Sequence, residues 1–145
     1  MNATTEGYLL VLEDSDEDFD TVMTAARQAN LSTEIRRAVT GDDCLRLMAE
    51  WHDAGQEKPV LALLDLNTPQ GDGRHALKML RRDERFRMVP VVVLSTSSSP
   101  KDLELCYTEG ANAYHLKSVD YPEHVRTVRT ILEYWLTGVI LPSTL

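Results

Sequence analysis

The chain has 145 residues, 43% of them apolar and 26% charged, an ordinary globular composition in a chain long enough to bury its own core. Its formal net charge of −8 argues against nucleic acid or an anionic membrane surface as partner, since both require clustered lysine and arginine. No apolar run approaches the roughly 20 residues that span a bilayer, and the amino terminus lacks a basic stretch followed by an apolar one, so a cytoplasmic protein is expected.

The first apolar block, Tyr8-Leu9-Leu10-Val11-Leu12, is continuous rather than alternating, which suits a strand covered on both faces. It ends in Glu13-Asp14, and Ser15-x-x-Asp18 then has the form of a capping box at the start of a helix. A weaker strand fits at about 33–39, after which Thr40-x-x-Asp43 opens a second helix. Val60-Leu61-Ala62-Leu63-Leu64 predicts a third buried strand, running into Asp65-Leu66-Asn67-Thr68-Pro69. The stretch Arg81-Arg82-Asp83-Glu84-Arg85-Phe86-Arg87, the richest in basic residues, is diluted by acids and reads as a solvated helix end. Val91-Val92-Val93-Leu94 predicts the fourth strand, followed by Ser95-Thr96-Ser97-Ser98-Ser99. Ser99-Pro100-Lys101-Asp102 opens the fourth helix, with Pro100 at its first position and Gly110 as its stop. A second weak strand at about 112–116 leads into Lys117, and Asp120-x-x-Glu123 opens the last helix.

Five strands alternating with five helices predict an α/β fold: a doubly wound, five-stranded parallel sheet with helices on both faces. The chain reads as a single domain, 1–145, with a core of about 8–136 and a short apolar extension, 137–145. Such sheets carry their functional residues at the carboxyl ends of the strands. If the strand order is 2-1-3-4-5, Glu13, Asp14 and Asp65 converge, because strands one and three are then neighbours. Three carboxylates that close repel one another unless a cation joins them, and an all-oxygen donor set of this kind is what Mg²⁺ prefers. Lys117 and the hydroxyls after strand four could then bind phosphoryl oxygens, giving a phosphoryl-transfer site with an aspartyl nucleophile.

Each element alone has a plainer reading. Glu13-Asp14 could be acids before a helix amino terminus, Asp65 a strand end, Ser95 to Ser99 a loop, and Lys117 a surface lysine. Their joint placement at four strand ends carries the functional reading. Other chemistries lack their parts. Asp14-x-Asp16-x-Asp18 begins like a calcium loop, but Phe19 stands where glycine is needed and Ala25 where glutamate is needed. No dinucleotide or nucleotide-binding glycine loop follows a strand. His52, His75, His115 and His124 show no metal spacing and read as surface or half-buried residues; Cys44 and Cys106 show neither zinc nor disulfide spacing.

With these residues in this order, the chain from about Tyr8 to Trp135 resembles the receiver domain of two-component response regulators. The resemblance implies a flavodoxin-like fold and Asp65 as phosphoacceptor. It implies Mg²⁺ bound by Asp14 and Asp65, by Glu13 largely through water, and by Asn67 through its carbonyl. Ser95 would be the switch hydroxyl, Tyr114 the aromatic that moves with it, and Lys117 the contact to a phosphoryl oxygen. Asn67, Thr68 and Ser97 would tune hydrolysis. Two positions depart from the family's pattern: Ser118 replaces the proline after the lysine, and Thr96 replaces a smaller residue after the switch hydroxyl. Neither change removes a group that phosphorylation requires.

Leu64-Asp65-Leu66-Asn67, Ser95-Thr96-Ser97, Lys117-Ser118 and the later Trp135 and Leu141-Pro142 are similar to the small response regulators that partner cyanobacterial phytochromes. This implies a phytochrome-type sensor histidine kinase as donor. Output would be protein–protein contact around the fourth and fifth helices, not enzymatic turnover. Val125, Val128 and Leu132 read as core on the last helix, whereas Trp135 and the apolar run 138–142 read as surface for a partner, a homodimer through the last helix and extension. Two other classes compete: a phosphorylation-independent interaction module of the same fold, and an aspartate-nucleophile phosphatase. The latter usually carries a second aspartate where Asn67 stands.

Overall fold

The computed structural model describes residues 7–67 and 73–142. Its strands are β1 (Tyr8–Leu12), β2 (Glu34–Ala38), β3 (Pro59–Asp65), β4 (Val91–Ser95) and β5 (Ala113–Leu116). Its helices are α1 (Asp16–Gln28), α2 (Gly41–Asp53), α3 (Gly73–Arg82), α4 (Pro100–Thr108) and α5 (Tyr121–Thr137). The strands form one parallel sheet in the order β2-β1-β3-β4-β5, the doubly wound, flavodoxin-like architecture expected.

The continuous apolar runs become the central strands because both of their faces are covered. Alternate residues Leu10, Leu12, Ala62, Leu64, Val91 and Val93 pack under α2, α3 and α4 against Met48, Leu77, Leu80 and Cys106. Their neighbours Leu9, Val11, Leu61, Leu63, Val92 and Leu94 pack under α1 and α5 against Val22, Ala25, Val128 and Leu132. Each large side chain so buried contributes roughly 1.5–3 kcal/mol.

The helix starts bear out the boxes only in part. Ser15 and Thr40 accept from the N–H groups of Asp18 and Asp43 at 3.2 and 3.0 Å. Ser99 and Asp120 occupy the cap positions of α4 and α5 but make no side-chain cap bond. Ser118 takes over at α5, its hydroxyl accepting from the Asp120 N–H at 3.1 Å. The stop at Gly110 holds: with φ at +101° it lets the Gly110 and Ala111 N–H groups return to the carbonyls of Tyr107 and Cys106.

Three expectations are corrected. Arg81 is no solvated helix end. Its guanidinium donates to the carbonyls of Gly110, Arg87 and Val89 and to the Asn112 side chain, at 2.7–3.1 Å, tying α3 to the loops before β4 and β5. His124 is buried, neither surface nor half-buried. The apolar extension is largely used by the chain itself: Leu141 is only 3% exposed and Val139 packs against the α1/α5 side of the core, while Ile140 points outward. Val125, Val128 and Leu132 are core as expected, and Trp135 is half-buried beside them.

Candidate functional site

The sheet brings the strand ends together. The pairing of Leu12 with Leu64 sets the two residues that follow, Glu13 and Asp65, side by side at the carboxyl edge. One carboxylate oxygen from each of Glu13, Asp14 and Asp65 lies within 4.8 Å of the others. Glu13 and Asp65 are buried and Asp14 is exposed. Backbone bonds fix the approach: the Glu13 N–H donates to Ala38 at 3.0 Å, and the Lys117 N–H donates to Ser95 at 2.8 Å. The Asn67 N–H donates to Asp65 Oδ1 at 3.1 Å and so orients the carboxylate.

Lys117 reaches into this cluster from the end of β5. Its Nζ donates to Glu13 Oε1 at 2.7 Å and to Asp18 Oδ2 at 2.8 Å, and stands 3.4 Å from Asp65 Oδ2. Burial works against the ammonium, but the bonds to Asp18 and Glu13 more than offset it and hold the Lys117 pKa above the usual lysine range. Burial pushes the Glu13 carboxyl up to about 7; the bond from Lys117 opposes this and the neighbouring Asp65 charge adds to it. Four carboxylates around one ammonium leave the site short of positive charge. The close, all-oxygen set of Glu13, Asp14 and Asp65 fits a hard divalent cation such as Mg²⁺.

Ser95 and Tyr114 meet at Ser97. The Ser95 side chain is fully buried and its Oγ accepts from the Ser97 N–H at 3.0 Å. The half-buried Tyr114 donates its hydroxyl to the Ser97 carbonyl at 2.7 Å. Ser97 Oγ in turn donates to Asp102 at 2.7 Å, and Arg74 holds Asp102 at 2.8 Å while reaching the Leu66 carbonyl at 3.5 Å. The loop after β4 is thus bonded, through α3 and α4, to the backbone beside Asp65. Thr96 is exposed, and the Lys117–Ser118 peptide bond is trans. Thr68 lies outside the described residues.

Several participants escaped the sequence reading. Asp18 was visible only as the closing residue of a capping box and as part of the rejected calcium loop, yet the Ser15 N–H turns to Glu13 Oε2 at 3.2 Å and leaves the Asp18 carboxylate to Lys117. Arg37 donates Nε–H to the Glu13 carbonyl at 2.9 Å and pairs with Asp16 at 2.8 Å, fastening β2 to the start of α1. At Gly73 a Cβ would fall on the Asp65 carbonyl, so α3 begins against the backbone of the central carboxylate. No local pattern announced these contacts, which join residues from different elements.

The response regulator receiver domain matches residues 9–129, which takes in eight of the ten elements whole, β1 from its second residue and the first half of α5. The chain belongs to the response regulator receiver family. This is a signalling family, not typically an enzymatic one. The receiver is 32% identical to the response regulator Rcp1 of Synechocystis over 139 residues, 93% of this chain and 92% of that protein. It is 34% identical over 128 residues to a probable methanogenesis regulatory protein, FilR2, of Methanothrix harundinacea, covering 88% of this chain and 83% of that one. Among solved structures it is similar to the phosphorylated cyanobacterial phytochrome response regulator RcpA, with TM-score 0.89, 29% identity and coverage of 95% and 99%. The Mn²⁺-bound form of Rcp1 gives TM-score 0.84 at 31% identity, with coverage of 94% and 99%. The receiver is therefore a two-component signalling protein related to the cyanobacterial phytochrome response regulators.

Proposed function

We propose that this receiver accepts a phosphoryl group on Asp65 from the phosphohistidine of a sensor histidine kinase of the phytochrome type. The observation that carries the reading is the gathering of Glu13, Asp14 and Asp65 within 4.8 Å, with the Lys117 ammonium among them. The kinase class rests on the relatives, one of them a phosphorylated phytochrome response regulator and another a response regulator in red light signalling of R. palustris.

Glu13, Asp14, Asp65 and the Asn67 carbonyl would hold Mg²⁺, which supplies neutralising charge for the phosphoryl oxygens when bound. The chain's own residues do the rest. The Asn67 N–H fixes the plane of the Asp65 carboxylate for in-line attack. Lys117, already beside Asp65, stabilises charge on the transferring group. Phosphorylation adds about −1.5 to −2 charges, and Ser95 then leaves the Ser97 N–H to donate its hydroxyl to a phosphoryl oxygen. Tyr114 follows into the vacated space and changes the surface formed by α4, β5 and α5. The same site would at most take a phosphoryl group from small donors and hydrolyse it slowly at Asp65. The output is protein contact, with self-association through α5 and the segment after it as its form; Tyr121, Tyr134 and Ile140 are the large exposed apolar residues there among the described residues.

Incubation with acetyl phosphate and Mg²⁺, followed by intact-mass measurement and size-exclusion chromatography beside Asp65→Asn, tests this. A phosphoryl mass that requires both Mg²⁺ and Asp65 is expected, with earlier elution. Failure to take up either a phosphoryl group or a beryllofluoride mimic would leave only a phosphorylation-independent module.

A further inference from the structure

Lys117 has three N–H donors and meets three carboxylates, but only one of those carboxylates lies outside the strand-end cluster. Glu13 and Asp65 belong to the set that would hold a cation. Asp18, on the first turn of α1, does not. The two bonds under 3 Å from Lys117 are to Glu13 and Asp18, and Asp65 is farther away at 3.4 Å. The ammonium therefore engages a carboxylate of the set that would hold a divalent cation, with a second carboxylate at equal reach.

From this geometry, and resting on the reading of the site as a cation-dependent phosphoacceptor, we infer that Asp18 is a positioning residue: it anchors Lys117 when the ammonium gives up Glu13. Two positive groups then share the same carboxylates, Glu13 and Asp65, and their repulsion is strong at such short range. Lys117 is only 10% exposed, so releasing it from Glu13 with no other partner would strand a charge largely out of water. Asp18 removes that penalty. It is held ready by its own backbone, whose N–H bonds Ser15 Oγ at 3.2 Å, and by the amino-terminal end of α1, which favours a carboxylate. Its side chain does nothing for the cap, because the Ser15 N–H is taken by Glu13. The pairing with Lys117 is its one hydrogen-bonded task among the described residues.

A Mg²⁺ titration by calorimetry on the full chain, with Asp18→Asn, Lys117→Gln and the double variant at fixed ionic strength, tests the inference. Asp18→Asn should weaken Mg²⁺ binding about tenfold when Lys117 is present and less than about twofold when Lys117 is glutamine, a coupling typical of residues in direct contact. Lys117→Gln alone should tighten binding, and Asp18→Glu, which keeps the charge, should restore most of the loss. Because the α1 cap uses the backbone of residue 18, the Asp18→Asn fold is expected to hold, and its urea midpoint checks this. Equal losses in both backgrounds would mean only general attraction by the acid and would overturn the role. No loss in either would overturn it too, leaving the phosphoacceptor reading intact. An unaltered chain that binds no Mg²⁺ would overturn both.

Discussion

Tyr114 and Ser97 are joined by a 2.7 Å hydrogen bond from the phenol to the main-chain carbonyl, so the aromatic of β5 is tied to the loop that follows β4. The same serine donates its N–H to Ser95 Oγ and its hydroxyl to Asp102. Ser97 is thus the junction of the two groups expected to move. Tyr114→Phe keeps the ring but cuts the junction. Urea denaturation should register a loss of about 0.5–1.5 kcal/mol, and amide hydrogen exchange at residues 97–99 should quicken while that of β1 and β3 does not.

The start of α3 offers a sharper perturbation of Asp65. Since a Cβ at residue 73 would land on the Asp65 carbonyl, Gly73→Ala must push helix and strand apart. Overpacking of this kind costs about 1–3 kcal/mol, and acetyl phosphate labelling should slow even at temperatures where the variant is fully folded. Unchanged labelling would show that the close approach does not position the carboxylate.

Arg81 satisfies three backbone carbonyls and the Asn112 amide oxygen with one guanidinium. Arg81→Met retains the aliphatic stem and takes this donor from all four acceptors, of which the Asn112 oxygen keeps the Val91 N–H. A loss of roughly 2–3 kcal/mol in chemical denaturation is expected, with Arg81→Lys recovering only a part, since an ammonium lacks the planar fork.

The acid side of the stability curve should report His124. Burial lowers its pKa, chiefly by desolvation, and its Nδ1 has no hydrogen-bond partner. The folded state favours the neutral ring, whereas the unfolded chain takes up a proton below about 6.5. The contribution is therefore present above that value and lost as pH falls through the depressed folded value. Glu13 works the other way: its raised pKa stabilises the fold below 4.5 and loses that effect as pH rises through about 7. Subtracting His124→Leu from the parent cancels Glu13, so the difference should be flat above pH 7 and should move in favour of the variant on acidification. A difference independent of pH would refute this account.

The strands and the carboxylate cluster were legible because each depends on information that is local or topological. Val91 to Leu94 can only be buried on both faces, and the doubly wound order then sets Glu13 beside Asp65 without further detail. Asp18, Arg81 and His124 were misread or missed because their roles depend on which elements pack across from them. Asp18 fits a capping pattern as well as it fits Lys117, and only the place of Lys117, just past β5 and beside the start of α1, decides between them. Arg81 sits in a run of alternating charges that looks solvated until the loops at Val89 and Gly110 close over it. Leu141 was read as surplus because the pattern of five strands and five helices already looked complete.

The inward turn of Leu141 also fixes the place of Pro142. Pro142 lines a cavity with Lys58, Pro59 and Pro90, at the amino-terminal edge of β3 and β4. With strands rising about 3.3 Å per residue, that edge is separated from Asp65 by the full length of β3. A fluorescent reporter attached at position 142 therefore sits at the far end of the sheet, leaving the mouth above the carboxylates open to a donor.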